Sequence, residues 1–141
     1  MQNESTFERE YTNRLHRSGY RSTKTKRQVF EVLSRASELR SMQQIVEEVR
    51  GSHFVSVYRS VDCLIKAKII NRVPRGFKNL YELSDVFKPH HHHISCERCG
   101  KVVKINSEQL ERVIKELSAD EHFSLTSHHM ELFGLCEVCQ K

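Results

Sequence analysis

The sequence predicts an α+β fold in two parts, an N-terminal winged helix followed by a small C-terminal α/β domain. Three observations predict it. Apolar residues recur at helical spacing through the front of the chain. A basic, glycine-containing hairpin pattern follows, and two Cys-x-x-Cys pairs then bracket the rest. With 141 residues the chain can form one ordinary domain or two small ones. Only 5 glycines and 2 prolines, with 38% hydrophobic residues, fit a globular protein better than a disordered one. No run approaches the roughly 20 apolar residues that span a bilayer, so no membrane partner is expected. The opening MQNESTFERE lacks the basic-then-apolar layout of a secretion signal, so a cytoplasmic protein is expected. In that compartment paired cysteines are expected as metal ligands rather than as disulfides.

Charge divides the chain. Residues 1–89 hold 17 lysines and arginines against 10 acids, a balance of +7, whereas residues 90–141 hold 6 against 8, a balance of −2. The histidines divide the opposite way, 2 in front and 7 behind, and four of the 5 cysteines also lie behind. The front half therefore points to a polyanion partner, with a merely solvated basic surface as the alternative.

The elements follow in order. A first helix is predicted over residues 7–18, with Phe7, Tyr11 and Leu15 on one face and Gly19 ending it. A second runs from about Thr25 to Arg35, with Val29, Val32 and Leu33 facing inward. A third covers about 42–50, where Met42, Ile45, Val46 and Val49 hold helical spacing between a Ser41 cap and a Gly51 stop. The fourth is best defined. Val57, Val61, Leu64, Ile65 and Ile69 keep one apolar stripe, while Tyr58, Arg59, Asp62 and Lys66 lie away from it. Two short strands, Ile69–Pro74 and Leu80–Leu83, then flank a turn at Gly76–Asn79. Helices followed by such a hairpin read as a winged helix, whose last helix enters the DNA major groove. Its exposed face offers Ser56, Tyr58 and Arg59 to phosphates or base edges, and the hairpin carries Arg72, Arg75 and Lys78 along the backbone. A helical domain that docks another protein is the alternative.

Behind this, Cys96-x-x-Cys99 and Cys136-x-x-Cys139 carry the sharpest signal. Two such turns complete a tetrahedral zinc site with no open position, which is the structural kind. Two redox-active pairs are the alternative reading, and nothing nearby resembles a thioredoxin unit. Cys63, on the fourth helix, is expected to pack rather than to ligate. The run His90-His91-His92-His93 precedes the first pair. A strand there sends His90 and His92 one way and His91 and His93 the other, so one run can feed two sites, with a solvated polar loop as the alternative. Asn106 is expected to cap a helix over about 107–118, with Gln109 in capping-box position, Leu110, Val113, Ile114 and Leu117 as its apolar stripe and Glu111 beside it. His128 and His129 follow a predicted strand at Phe123–Thr126. Imidazole and carboxylate suit zinc, iron, manganese or nickel without choosing among them.

Val57-Tyr58-Arg59 with Leu64, the H-H-H-H-x-x-C-x-x-C-G-K run at 90–101, and the ending Thr126-Ser127-His128…Phe133-Gly134-Leu135-Cys136-x-x-Cys139 resemble the ferric uptake regulator (Fur) family of bacterial metal-responsive repressors. The likeness covers essentially the whole chain. It implies a homodimer: a winged-helix DNA-binding domain at 1–84, a hinge at 85–89, and an α/β dimerisation and metal-binding domain at 90–141. Metal binding then favours a closed dimer that grips palindromic operator DNA and represses transcription. Carried over residue by residue, the likeness implies structural Zn2+ at Cys96, Cys99, Cys136 and Cys139. It implies a regulatory Fe2+ or Zn2+ at His90, His92, Glu111 and His128, and a hinge site at His91, His93 and Glu82. No catalytic residue and no small-molecule substrate are implied.

The sequence departs from that family at four places. Position 104, usually acidic, is a lysine; no histidine precedes the third helix, which begins after Glu38-Leu39-Arg40-Ser41. The spacing from Glu82 to His91 is about two residues longer than usual, and Thr23-Lys24-Thr25-Lys26 replaces a motif that carries proline. The hinge site is accordingly expected to be the weaker, or rebuilt with His53, Asp85 or solvent. A peroxide-sensing member of the family, a metalloenzyme with an open His/Glu site, and a zinc-ribbon interaction protein are the other readings.

Overall fold

The computed structural model describes residues 4–141, which form two compact units, one running to Pro89 and the other His90–Lys141. The first unit opens with α1 (Glu4–Arg17), α2 (Lys24–Arg35), the two-residue strand β1 (Arg40–Ser41), α3 (Met42–Glu48) and α4 (Phe54–Lys66). A hairpin of β2 (Ile70–Arg75) and β3 (Lys78–Leu83) closes it. Helices followed by this hairpin make a winged helix. Tyr11, Leu15, Val29, Leu33, Ile45, Val57, Val61 and Leu64 meet in one core and are at most 1% exposed. Burying a side chain of that size fully stabilises by about 1.5–3 kcal/mol, so this stripe-on-stripe packing sets the helix arrangement.

Local chemistry fixes the boundaries. Ser41 caps α3 by accepting from Gln44 N at 3.2 Å while the Gln44 side chain accepts from Ser41 N at 2.8 Å, a complete capping box. Gly19, at φ +76°, supplies the left-handed residue that ends α1. The predicted helix stripe ran on to Ile69, but α4 stops at Lys66, and Ile69 is buried beyond its end. The hairpin turn is tighter than predicted. The strands continue to an Arg75–Lys78 pair, leaving only Gly76 (φ +56°) and Phe77 between them. In this sheet β3 is central, ordered β1-β3-β2, and β1 escaped the sequence reading because it is two residues long. Residues 87 and 88 pack with this unit. The Phe87 ring lies 5.1 Å from Phe30 and 5.9 Å from Phe7, and Lys88 Nζ donates to Ala36 O at 3.0 Å.

The second unit comprises β4 (His92–Cys96), β5 (Val102–Ile105), α5 (Glu108–Asp120) and β6 (Glu131–Gly134), with sheet order β5-β4-β6. β4 is central, antiparallel to β5 and parallel to β6. Ser107, rather than the predicted Asn106, caps α5, its hydroxyl accepting from Leu110 N at 3.3 Å. The predicted strand at 123–126 is not formed. Those residues are exposed and carry no strand, and the true strand is β6, eight residues later. Alternation at Phe123 and Leu125 mimicked a strand, but a strand needs an edge to pair with, and β4 offers that edge to the residues just before Cys136.

Candidate metal centres

The four-cysteine cluster is built by two turns, one after β4 and one after β6. Gly100 N donates to Cys96 O at 2.9 Å and Cys139 N to Cys136 O at 2.9 Å, which curls each Cys-x-x-Cys segment. Pairing of Cys96 with Gly134 across β4 and β6 brings the two turns together. All four sulfurs lie within 4.8 Å of one another, and Cys99 Sγ sits 3.7 Å from Cys136 Sγ. A tetrahedron with Zn–S bonds of about 2.3 Å has edges of about 3.8 Å, whereas a disulfide needs about 2.05 Å. The donor set therefore fits a closed, four-sulfur ion. Amides of Cys136 and Cys99 donate to Cys96 Sγ at 3.4 and 3.5 Å and bring its thiol down to about 5. Hydrogen bonding to Cys136, then burial, pushes Cys139 up to about 12. A divalent cation is what lets this crowd of sulfurs ionise together.

The second cluster joins β4 and its preceding residues to α5 and to the segment before β6. His90 Nε2 lies 3.0 Å from His128 Nε2 and 3.3 Å from His92 Nε2. Glu111 brings Oε1 to 2.8 Å from His92 Nε2 and Oε2 to 3.1 Å from His128 Nε2. A proton can bridge two imidazole nitrogens, but it cannot serve three that face one point. A cation with ligand bonds of about 2.0–2.1 Å serves all four donors at once, since its tetrahedral edges are about 3.4 Å. Burial raises the Glu111 carboxyl, yet hydrogen bonds from His92 and His128 and the charge of His128 and His90 outweigh it, so the group is held below the usual carboxylate range.

His91 and His93 take the other face, with rings 4.8 Å apart and nearly perpendicular. His93 is 1% exposed, and burial first, then the neighbouring His91, His129, Lys104 and His92, brings its imidazole down to about 4. It is thus a neutral ring at neutral pH, the form that can ligate. Its cross-strand neighbours are Lys104 on β5 and Glu131 on β6. Glu131 Oε1 lies 3.4 Å from His93 Nδ1 and 3.0 Å from His129 Nε2. Glu82 belongs to β3 of the first unit, and His53 caps α4 there, accepting from Val55 N at 3.3 Å. Sequence reasoning missed Glu131 because it lies in an apolar ending, although period-two spacing from His129 would have put both on one face.

On α4, Val57, Ser60, Val61 and Leu64 are buried, which turns Ser56, Tyr58 and Arg59 to solvent, Tyr58 with 51% of its surface exposed. Lys78 on the hairpin is exposed and Arg75 half-buried. Cys63 is partly buried on the same helix, apart from the four-cysteine cluster.

A basic helix-and-hairpin unit joined in one chain to a unit carrying cysteine and histidine donor sets defines a metalloregulator. The sequence pattern of the ferric uptake regulator family matches residues 17–133. The ferric uptake regulation protein of Campylobacter upsaliensis is 28% identical over 134 residues, covering 89% of this chain and 83% of that protein. The solved structure of the Helicobacter pylori ferric uptake regulator superposes with a TM-score of 0.76 at 29% identity, over 98% of this chain and 93% of that one. A zinc uptake regulator solved with zinc and DNA has the same fold, with a TM-score of 0.55 at 23% identity over 98% and 97% of the two chains. The chain belongs to the ferric uptake regulator family.

Proposed function

We propose that this protein is a metal-dependent, DNA-binding transcriptional repressor that works as a homodimer in the cytoplasm and catalyses no reaction. The observation that carries the reading is the convergence of His90, His92, Glu111 and His128, from three separate stretches of the second unit, on one point. Such a set can respond to ion concentration, because an ion bound there adds its binding energy to the arrangement of the three stretches that hold it. Zn2+ at Cys96, Cys99, Cys136 and Cys139 is structural in this reading, since four sulfurs leave no open position. Fe2+ or Zn2+ at the histidine-rich set is the regulatory ion, and His91 and His93 form a further ligand pair. The structure of the Helicobacter pylori relative is described as revealing three functional metal binding sites, which agrees with several ions per chain.

Residues 1–84 are the DNA-binding part, 85–89 link the units, and 90–141 dimerise. α4 enters the major groove with Ser56, Tyr58 and Arg59, while Arg75 and Lys78 on the wing contact phosphates. Support for dimerisation comes from α5, none of whose residues is buried, although Val113 and Leu117 on its apolar stripe are 48% and 60% exposed. A second copy covers that stripe and gives the two-fold symmetry that reads a palindromic operator. Among the described residues no helix is long and apolar enough to cross a membrane. The test is a gel shift on the protein's own upstream DNA, with and without chelator. Chelation should release the DNA and added Fe2+ or Zn2+ should restore it; equal binding in both arms would sink the reading.

A further inference from the structure

His93 occupies the central strand of the second unit's sheet, so it has a neighbour on each side. On β5 that neighbour is Lys104, and on β6 it is Glu131. Directly paired residues share a face, and across the antiparallel β4–β5 pair they stand about 4.5–5.5 Å apart at Cβ. The cation thus comes from one side of His93 and a carboxylate from the other. Glu131 Oε1 reaches His93 Nδ1 at 3.4 Å and His129 Nε2 at 3.0 Å, and its side chain is only 13% exposed. These two distances to Glu131 Oε1 fall in the range of the contacts Glu111 makes with His90, His92 and His128, 2.8 to 3.4 Å. His91 completes the neighbourhood through its ring contact with His93. Neither His129 nor Glu131 belongs to the sets that the sequence pattern assigns.

We propose that Glu131, joined by His129, supplies from β6 the carboxylate that β5 lacks at Lys104, and with His93 and His91 binds a divalent transition-metal ion. The inference rests on the reading of His91 and His93 as metal ligands. Its physical basis is that a largely buried carboxylate is costly unless a cation compensates it. Lys104 alone repels a divalent ion beside His93, and Glu131 cancels that charge from the opposite strand. Imidazoles with one carboxylate are borderline donors that suit Zn2+, Fe2+ or Co2+ rather than Ca2+ or Mg2+. The competing account is a plain ion pair between Glu131 and protonated His129, which binds no metal.

The experiment uses the full chain with its cysteine site loaded with zinc and the first histidine set silenced by His92→Ala. Co2+ is titrated at pH 7.5 against a competing chelator, followed by visible absorption. The parent should bind one further Co2+ per chain. Adding Glu131→Gln should weaken that ion at least 10-fold, since losing even a residue that only supports a metal ligand costs about 10–100-fold. Glu131→Asp should keep most of the affinity, and Lys104→Glu should restore binding to the Glu131→Gln protein. Unchanged titration of Glu131→Gln, with His93→Ala abolishing the ion, overturns the role of Glu131 and leaves the histidine pair standing. If His93→Ala also leaves the titration unchanged, the reading of the pair itself fails. Zinc content and melting temperature are measured on each variant. If Glu131→Gln does not fold, the decision passes to His129→Ala: weakened Co2+ binding upholds the site and parental binding overturns it.

Discussion

Arg59 and Glu111 show how much one side chain's surroundings decide. Arg59 is solvent-facing because its neighbours Val57, Ser60 and Val61 are turned into the core, so its guanidinium costs nothing to present. Arg59→Ala should weaken operator binding by about 1–3 kcal/mol and leave metal content unchanged, as checked by fluorescence anisotropy and elemental analysis. Glu111 has the opposite setting, ringed by three imidazoles. Glu111→Ala and His92→Ala should each lower affinity for the same ion, whereas His91→Ala should leave that ion in place. Acid should also expel it. Metal binding displaces protons from its ligands, so affinity should fall as pH is lowered and rise as pH climbs, while Glu111, held below the usual carboxylate range, keeps its charge in mild acid. Metal titrations at several pH values check the sign.

At the scale of elements, the sequence was most readable where side chains decide locally. The Ser41 cap of α3, the stop at Gly19 and the α4 stripe of Val57, Val61 and Leu64 all have local causes, and each was visible in the sequence; the partner role of Gln44 in a full capping box emerges only in the structure. The cysteine pairs and the split histidine run were legible for the same reason. β6 was not, because nothing within Glu131–Gly134 says which edge it joins; the pairing with β4 is a long-range fact. Position 107 was missed as a cap because Asn106 and Ser107 are equally good capping residues. α5 carries an element-scale prediction. With Val113 and Leu117 exposed on one face, Leu117→Asp should convert the dimer to monomer in sedimentation experiments and abolish operator binding without loss of zinc. A dimer that survives the change would refute the proposed interface.

The whole molecule separates its tasks by charge. With +7 over residues 1–89 and −2 over residues 90–141, the net positive charge lies in the first unit alone. Operator affinity should therefore fall steeply and linearly with the logarithm of salt concentration, while metal affinity should hardly change. The cysteine cluster is the other molecule-wide device. Cys96→Ser should release one zinc per chain and lower both melting temperature and dimer content, measured by elemental analysis and calorimetry. An equally heat-stable dimer would rule out a structural role.

The parallel pairing of β6 with β4 has a consequence in time. β6 reaches β4 only after the chain has passed through β5 and α5, and Cys136, two residues past β6, shares its cluster with Cys96 at the end of β4. His128 lies just before β6, so its place beside His90 depends on that strand being docked. If the cysteine ion is what keeps β6 seated on β4, a chain stripped of every ion should refill cysteines first and histidines second, and a cell starved of zinc would hold a regulator deaf to its signal until the first ion returned.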